Sequence, residues 1–334
     1  MGRTLRITLI LSLLLAAAAT LCANDTPSLE VSVFQDAVVH FTPDEPSRYD
    51  SAGVTAEDNG RVMRTDVTFP ERPFRCKVTA HLVLKPIPQD EVTVADKWDR
   101  AGDIRLCIEG MPDIEVVKFI TSYGGLTEYD VDVTDLAPLL IGTRTMKAFI
   151  DTWVTPAWKV DFSFTFSADT TVTNADWAEG AMFLASFDRE HGDSGGEVVS
   201  VNIPDSLSRV KLKYFVSGHC TDGRDADEFV TKDNVISVDG TVVYRFQPWR
   251  DDCRTFRPVN PYCRRWSDGW WSCDFDRSGW CPGDIVEPLE LDLTDHLTPG
   301  QHSIKFMVED VRPKDDDGNY GYWRMSAYLV GWKK

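Results

Sequence analysis

Three acidic side chains stand close to aromatic residues, a pattern that could support hydrolysis. They are Asp99 after Trp98, Asp151 two residues before Trp153, and Glu228 before Phe229. An aromatic ring excludes water from a carboxyl group and raises its pKa, whereas a guanidinium such as that of Arg100 favours the ionised form. Such pairs can separate an ionised base from a second acid. With 53 acidic residues in the chain, each match taken alone is more typical of a solvated surface carboxylate.

The segment 244–281 differs from the rest of the chain in its density of tryptophan and arginine. It holds five of the eleven tryptophans, interleaved with seven arginines. Flat aromatic faces bind the apolar faces of sugar rings, and guanidinium groups bind polar substituents, so this segment predicts a glycan site. The alternative is a disulfide-pinned loop whose tryptophans pack against the core, since tryptophan is usually largely buried.

Composition and charge limit the class of protein. The chain has 334 residues, with 43% hydrophobic and 26% charged residues, which is typical of globular proteins, and its length favours two domains. With 35 Lys and Arg against 53 Asp and Glu, the net charge of -18 would repel a phosphate backbone. We therefore expect no nucleic-acid partner.

The first residues predict export. Arg3 and Arg6 precede an apolar run over residues 7–19, and Ala23 offers a small residue at a cleavage site, so we interpret residues 1–23 as a signal peptide. The run is shorter than the ~20 residues of a membrane span, and the sequence predicts no later span. We expect a secreted or periplasmic protein.

Seven cysteines follow the predicted leader, and export makes disulfides plausible. A nested pairing of Cys253 with Cys281 and of Cys263 with Cys273 would staple a long loop. Cys76 could pair with Cys107, which would leave Cys220 over. Zinc is the competing interpretation, but the sequence contains no CxxC and its histidines form neither HxH nor HxxxH, so we predict no metal site.

Apolar residues alternate with polar ones over much of the chain, as in half-buried strands. The alternation is clearest over residues 78–84, 104–108, 160–166, 210–216 and 289–293. Residues 235–246 predict a hairpin with Asp239-Gly240 as its turn. The mature chain is therefore expected to be all-β, with short strands that favour antiparallel sandwiches.

One short internal repeat, called the internal echo below, suggests how the strands are organised. The residues 131–136, VDVTDL, resemble 291–297, LDLTDHL, and a glycine and an alternating segment follow each copy. The copies lie half a mature chain apart, which predicts two related sandwich domains with a boundary near residues 168–176. Strand-turn-strand units that look alike in any β protein are the alternative. We expect domains at 24–170 and 171–334, the second carrying a disulfide-rich aromatic loop at 244–283.

Several motifs in consistent order resemble the bacterial peptide-N-glycosidase F family, amidases that cut whole N-glycans from asparagine. The most specific is Asp276 to Gly283, DRSGWCPG. The shorter matches are Trp98-Asp99-Arg100, Phe119-Ile120-Thr121, the VDVTDL run, Asp151-Thr152-Trp153 with Val160-Asp161-Phe162, and Ser217-Gly218-His219.

The resemblance implies two tandem antiparallel jelly-roll β-sandwich domains packed side by side, with the active site between them. It implies Asp99 as the principal catalytic carboxylate, joined by Glu228 and by Asp151, where the family usually has the longer Glu. The implied substrate-binding residues are Trp98, Arg100, Trp153, His219, Arg277 and Trp280, and no cofactor is required.

The leading hypothesis is hydrolysis of the amide between N-acetylglucosamine and asparagine in N-glycosylated peptides or proteins by a monomeric enzyme. Asp99 would activate the attacking water. The principal alternative is a non-catalytic glycan-binding or adhesion protein on the same scaffold. A glycosidase would instead cut an acetal and leave asparagine unchanged, and the scattered histidines disfavour a copper monooxygenase.

Overall fold

The computed structural model describes residues 28–69, 71, 75–220 and 227–334, and the predicted signal peptide lies outside this range. These residues form 18 strands, one short helix and three 3₁₀ turns. Among the helices of the described ranges, none has the length and apolar character needed to cross a bilayer. The predicted all-β class is therefore confirmed.

The strands are given in chain order. The first nine are β1 (Ser28–Val39), β2 (Val54–Glu57), β3 (Val62–Phe69), β4 (Cys76–Pro86), β5 (Ala101–Cys107), β6 (Ile114–Ile120), β7 (Thr127–Asp132), β8 (Gly142–Ile150) and β9 (Trp158–Ala168). The others are β10 (Trp177–Phe187), β11 (Glu197–Ile203), β12 (Leu207–Cys220), β13 (Asn234–Val238), β14 (Thr241–Phe246), β15 (Ile285–Val286), β16 (Leu289–Asp292), β17 (Gly300–Val308) and β18 (Gly321–Lys333). The helix α1 (Arg189–Asp193) follows β10. The 3₁₀ turns are Asp58–Gly60, Thr134–Leu136 and Cys253–Val259.

Strands β1–β9 form two antiparallel sheets. One has the order β1-β9-β4-β7 and the other β6-β5-β8-β3, with β2 added beside β3. If the eight principal strands are counted along the chain without β2, these orders are 1-8-3-6 and 5-4-7-2. This is the strand order of a jelly roll, in which two Greek keys fold over each other.

The second set of strands repeats this order. The sheets β10-β18-β12-β16 and β14-β13-β17-β11 again give 1-8-3-6 and 5-4-7-2 once β15 is left out. The expectation of two tandem antiparallel jelly rolls is thereby confirmed. The expected boundary at residues 170–171 falls between β9 and β10.

The internal echo falls on corresponding strands, β7 and β16, each the last strand of its 1-8-3-6 sheet. In the first copy, Thr134 Oγ1 accepts a hydrogen bond from the Val78 N–H at 3.0 Å. In the second, Thr294 Oγ1 accepts one from the Val210 N–H at 3.1 Å. The repeated Asp-x-Thr therefore ties the edge strand to its neighbour in both sandwiches.

Local sequence patterns explain most strands. The five alternating segments coincide with β4, β5, β9, β12 and β16, and the predicted hairpin is β13–β14. Asp239 and Gly240 both have positive φ, 48° and 80°, as a two-residue hairpin turn requires. Phenylalanines of β9 fill the first core, where Phe69 packs edge-on against Phe164 at 5.5 Å.

The two sandwiches share a buried interface along β18. Tyr328, Val330 and Trp332 pack into the core of the first sandwich, although they belong to a strand of the second. Polar contacts fix the register: Lys118 Nζ donates to the carbonyl of Arg324 at 2.9 Å, and the Arg324 guanidinium lies 3.4 Å from Asp103. The short β15 also pairs with β6 of the other sandwich. The strand ends of both halves are therefore held in a fixed relation.

The disulfide predictions are correct for the aromatic loop and wrong elsewhere. Cys253 is bonded to Cys281, and Cys263 to Cys273, in the predicted nested arrangement. Cys76 and Cys107 are not joined by a disulfide, because Cys76 begins β4 in one sheet of the sandwich and Cys107 ends β5 in the other. The Cys107 thiol interacts instead with Asp113, and burial raises its pKa to about 12.

Candidate active site

A cleft of about 600 Å³ lies between the two sandwiches, lined by strand ends from both. Asp99 reaches it from the segment before β5, and Asp151 from the residue after β8. His219, near the end of β12, and Tyr322, near the start of β18, line it from the second sandwich. The cleft contains residues from four strand ends that are far apart in sequence.

Asp99 and Glu228 share one guanidinium. Arg277 Nε donates to Glu228 Oε1 at 3.0 Å, and Arg277 Nη2 lies 3.5 Å from Asp99 Oδ2. Both carboxylate side chains are 14% exposed, whereas Arg277 is 2% exposed. The carboxyl groups therefore face the cleft while the cation that holds them is withdrawn behind them.

The packing around Arg277 fixes its direction. Its guanidinium lies 4.5 Å from the centre of the Trp280 ring and 5.2 Å from that of Phe229. It also donates to the carbonyl of Ser272 at 3.0 Å. A planar fork can satisfy several acceptors at once, which a lysine cannot reproduce. Arg277 lies between the bonded cysteines Cys253 and Cys281, so the disulfide-closed loop positions it behind the cleft.

The segment carrying Asp99 is fixed by a buried acid. Asp96 is fully buried and accepts hydrogen bonds from Thr152 Oγ1 at 2.6 Å and from Arg100 Nε at 3.0 Å. Thr121 Oγ1 accepts from the Arg100 N–H at 2.8 Å and donates to the carbonyl of Trp98 at 3.1 Å. These bonds hold the backbone on both sides of Asp99. They also explain why the three matching motifs, at 98–100, 119–121 and 151–153, occur together.

Burial raises the pKa of both carboxyl groups in this pair. For Glu228 the value rises to about 7, chiefly through loss of water and opposed by Arg277. Desolvation likewise raises the pKa of Asp99, while Arg277 and a hydrogen bond from the Tyr123 hydroxyl favour its ionised form. Two carboxyl groups close to one cation, one of them titrating near neutral pH, can give and accept protons at physiological pH.

Asp151 lies on the same cleft but has a different partner. Arg61 Nη1 lies 3.1 Å from Asp151 Oδ1, and the Arg61 guanidinium stacks 4.8 Å from the Trp153 ring centre. Trp153 is 59% exposed, so one face of a large aromatic ring is open to solvent beside a charged pair. This combination can bind a sugar through its apolar face and its polar substituents.

His219 forms part of the cleft wall. Its ring stacks between Trp280 and Tyr322, with both centroid distances 5.3 Å, and Nε2 hydrogen-bonds Ser217 Oγ at 2.8 Å. Burial and the nearby cations, Arg324 foremost among them, keep its pKa well below the usual value. His219 is therefore a neutral, rigid polar surface in the cleft.

The structure brings eight of the nine predicted site residues together. Asp99, Arg100, Asp151, Trp153, His219, Glu228 and Trp280 line the cleft, and Arg277 contacts three of them. Trp98 is placed elsewhere: its indole is 51% exposed and lines a separate pocket next to the cleft. Trp280 serves mainly as packing, since it is 3% exposed and its Nε1 donates to the carbonyl of Gly218.

Sequence reasoning missed several contributors, among them Arg61, Asp96, Tyr123 and Tyr322. No local pattern distinguishes Arg61 or Asp96, because their partners are 90 and 56 residues away. Tyr123 follows the Phe119-Ile120-Thr121 motif by two residues, and that proximity was the one available signal.

Among the described residues, no three His, Cys, Asp or Glu side chains are arranged to hold a metal ion.

The raised pKa of Glu228 predicts a pH-dependent stability. Between its ordinary value of 4.5 and about 7, the native state binds the proton more tightly than the unfolded chain. The stabilisation from this group is therefore fully present below about pH 4.5 and is lost as the pH rises through about 7. The side chain in Glu228→Gln cannot ionise. We therefore expect its free energy of unfolding to rise by up to about 3 kcal/mol relative to that of wild type as the pH increases from 5 to 8. Urea unfolding at both pH values measures this.

Glu290→Gln is the matched control for that experiment. Hydrogen bonds from Lys213 and Lys211 lower the pKa of Glu290, so its stabilisation is lost only as the pH falls below 4.5. The difference in free energy of unfolding between Glu290→Gln and wild type should stay constant between pH 5 and pH 8. A constant difference for Glu228→Gln as well would show that Glu228 is not held in its protonated form.

The chain resembles known proteins over most of its length. Residues 189–330 match the family model described as Peptide-N-glycosidase F, C terminal. Peptide-N(4)-(N-acetyl-beta-D-glucosaminyl)asparagine amidase F of Elizabethkingia miricola is 22% identical over 283 residues, which are 79% of this chain and 76% of the relative.

Solved structures show the same fold. A structure of PNGF-II superimposes with a TM-score of 0.79 at 22% identity; the match covers 92% of this chain but 65% of that one. PNGase F from Flavobacterium meningosepticum, described as a glycosylasparaginase, matches with a TM-score of 0.72 at 17% identity and covers 92% of this chain and 96% of its own. The family match over the second sandwich, together with the curated relative aligned over most of the chain, shows that the chain resembles the peptide-N-glycosidase F family.

Proposed function

We propose that the protein hydrolyses the amide bond between N-acetylglucosamine and the asparagine side chain, and so releases intact N-glycans from glycoproteins or glycopeptides. The observation that carries this proposal is the pair Asp99 and Glu228, both facing the cleft and both held by the buried Arg277. The resemblance to the peptide-N-glycosidase F family supports the proposal. At 22% identity to the amidase relative, the activity has to be tested directly.

In this proposal Asp99 is the general base. Its carboxylate takes a proton from a water molecule while the water oxygen bonds to the amide carbon of the asparagine side chain. Arg277 and the Tyr123 hydroxyl favour the ionised form of Asp99 that this step needs. A well-placed base contributes about 10²–10⁴-fold to such a reaction.

Glu228 supplies the proton that the leaving nitrogen requires. Its pKa of about 7 allows the protonated form to be present at neutral pH. As the carbon–nitrogen bond breaks, the nitrogen leaves as a glycosylamine and the asparagine becomes aspartate. Arg277 then stabilises Glu228 as a carboxylate through its 3.0 Å hydrogen bond until the proton is restored from solvent, to which Asp99 releases the proton that it took from water.

The remaining cleft residues hold the glycan core. Trp153 offers an exposed ring face, and Asp151 with Arg61 beside it can bind hydroxyl and acetamido groups. The stacked rings of His219 and Tyr322 form part of the cleft wall. No proton transfer in this scheme requires a metal or an organic cofactor.

We infer N-glycosylated peptides or proteins as partners and a site of action outside the cytoplasm, secreted or periplasmic. Two disulfides in one loop support an oxidising environment. The monomeric state remains a prediction from the sequence.

Mass spectrometry of a defined glycopeptide tests the proposed function. We would incubate the glycopeptide with purified protein in H₂¹⁸O and chelator, and expect an intact glycan together with a peptide whose asparagine has become ¹⁸O-labelled aspartate. A peptide that keeps asparagine, bare or with a sugar stub, would identify a glycosidase and reject the amidase. A glycopeptide that binds but is recovered unchanged would point to a non-catalytic glycan-binding protein.

A further inference from the structure

A second pocket lies next to the cleft and has a different character. It has a volume of about 270 Å³, and its walls include Trp98, Tyr123, Tyr262, Arg264 and Trp266. Aromatic rings form most of this wall, whereas the cleft also carries three carboxylates and two guanidinium groups. The proposed function leaves this pocket without a role.

The pocket is joined to the proposed catalytic group by two direct links. Trp98 and Asp99 are consecutive residues, and the indole of Trp98 lines the pocket while the carboxyl group of Asp99 lines the cleft. Tyr123 lines the pocket, and its hydroxyl donates a hydrogen bond to the carboxyl group of Asp99. The pocket therefore adjoins the group proposed as the general base.

The walls are rigid, as a selective pocket requires. The Cys263–Cys273 disulfide flanks Arg264 and Trp266, and the Tyr262 N–H donates to the carbonyl of Tyr123 at 3.1 Å. Cations face the rings: Arg264 lies 5.6 Å from the centre of Trp98, and Lys97 5.3 Å from that of Tyr262. Such an arrangement binds a further flat ring by stacking and by cation–π contact.

We propose that this pocket binds an aromatic side chain of the substrate peptide, one residue away from the glycosylated asparagine. This inference rests on the proposed function, because the amide carbon must reach Asp99 while the glycan fills the polar cleft. The peptide then leaves Asp99 on the side of Trp98. Successive side chains of an extended peptide point to opposite sides, so the asparagine and its neighbour can enter two different cavities.

Matched glycopeptides test the inference. They carry one glycan and differ only in having phenylalanine or alanine immediately before or immediately after the asparagine. For the wild-type protein we expect kcat/KM to be about fivefold to tenfold higher with phenylalanine at one of these positions. In Trp266→Ala this ratio should fall towards one. A wild-type ratio of one at both positions, with the glycan still released, would overturn the inference and leave the proposed function intact.

Trp270→Ala is the matched control. Trp270 belongs to the same disulfide loop and packs on the same Phe275 ring as Trp266, but it lies outside the pocket. It should keep the full phenylalanine preference. If Trp266→Ala does not fold, Arg264→Ala replaces it, since Arg264 is exposed and its loss removes one cation from the pocket wall.

The two proposals can fail separately. Cleavage of none of the glycopeptides would refute the proposed function, and titration calorimetry of the same peptides would then decide the inference. Tighter binding of the phenylalanine peptide that Trp266→Ala abolishes would support it, and equal binding of both peptides would overturn it.

Discussion

Asp99→Asn should lower the rate of glycopeptide deglycosylation by about 10²–10⁴-fold, the contribution of a well-placed general base. The amide keeps the shape of the carboxylate, and its oxygen can still accept the hydrogen bond from Tyr123. It cannot take a proton from water. Because Glu228 remains as the counter-ion of Arg277, and because burial makes the ionised form of Asp99 unfavourable in the native state, we expect the variant to be at least as stable as wild type at neutral pH. Initial rates on a fluorescent glycopeptide, with a melting curve of each protein, measure both effects.

Asp284→Asn is the matched control for that substitution. Asp284 is 17% exposed, close to the 14% of Asp99, burial raises its pKa, and it pairs with Arg250 at 2.9 Å. It lies outside the lining of the cleft. Its variant should retain the wild-type rate. If Asp99→Asn also retained that rate, Asp99 could not be the base, and the mechanism proposed above would be wrong.

The fold was predictable from the sequence because local patterns determine most of it. Each half-buried strand shows a period of two, and the Asp239-Gly240 turn has the backbone that glycine permits. The same rule fails for β18, which is buried on both faces over most of its length. Its outer face is covered by the first sandwich, and no periodicity in one strand can indicate what lies against its other face.

The site was predictable only as far as short motifs extended. Asp99, Asp151 and Arg277 stand in matched runs, but Asp96 was one acid among 53 until the fold placed Thr152 against it at 2.6 Å. Trp98 shows that closeness in sequence can also mislead. Because it is adjacent to Asp99, both side chains were expected to share one cleft. The two side chains instead enter different cavities. The Cys76–Cys107 pairing failed for a similar reason, since sequence spacing does not reveal which sheet a strand joins.

Arg277→Met should have the largest effect on stability. Methionine approximates the length of arginine and can pack against Trp280 and Phe229, which line the guanidinium in the native protein. It leaves Asp99 and Glu228 buried without their shared cation. Removing one partner from a buried ion pair typically costs about 3–5 kcal/mol. We expect a loss of this size in the free energy of unfolding at pH 8, together with loss of activity.

The pH dependence separates this charge effect from a packing defect. Without Arg277 the pKa of both carboxyl groups rises further, so protonation relieves more of the cost as the pH falls. The loss of stability in Arg277→Met should therefore be smaller at pH 5 than at pH 8. A packing defect would cost the same at both pH values. Urea unfolding of wild type and variant at the two pH values distinguishes them.

A second substitution measures the interaction between Arg277 and Glu228. In Arg277→Met with Glu228→Gln, the more strongly bonded carboxylate is also removed, so one unpaired buried charge disappears. We expect Glu228→Gln to raise the free energy of unfolding at pH 8 by more in the Arg277→Met background than in wild type, a positive coupling typical of residues in direct contact. Equal effects of Glu228→Gln in the two backgrounds would mean that Arg277 stabilises the loop through its bond to Ser272 and its packing, and that the carboxylate pair does not depend on it.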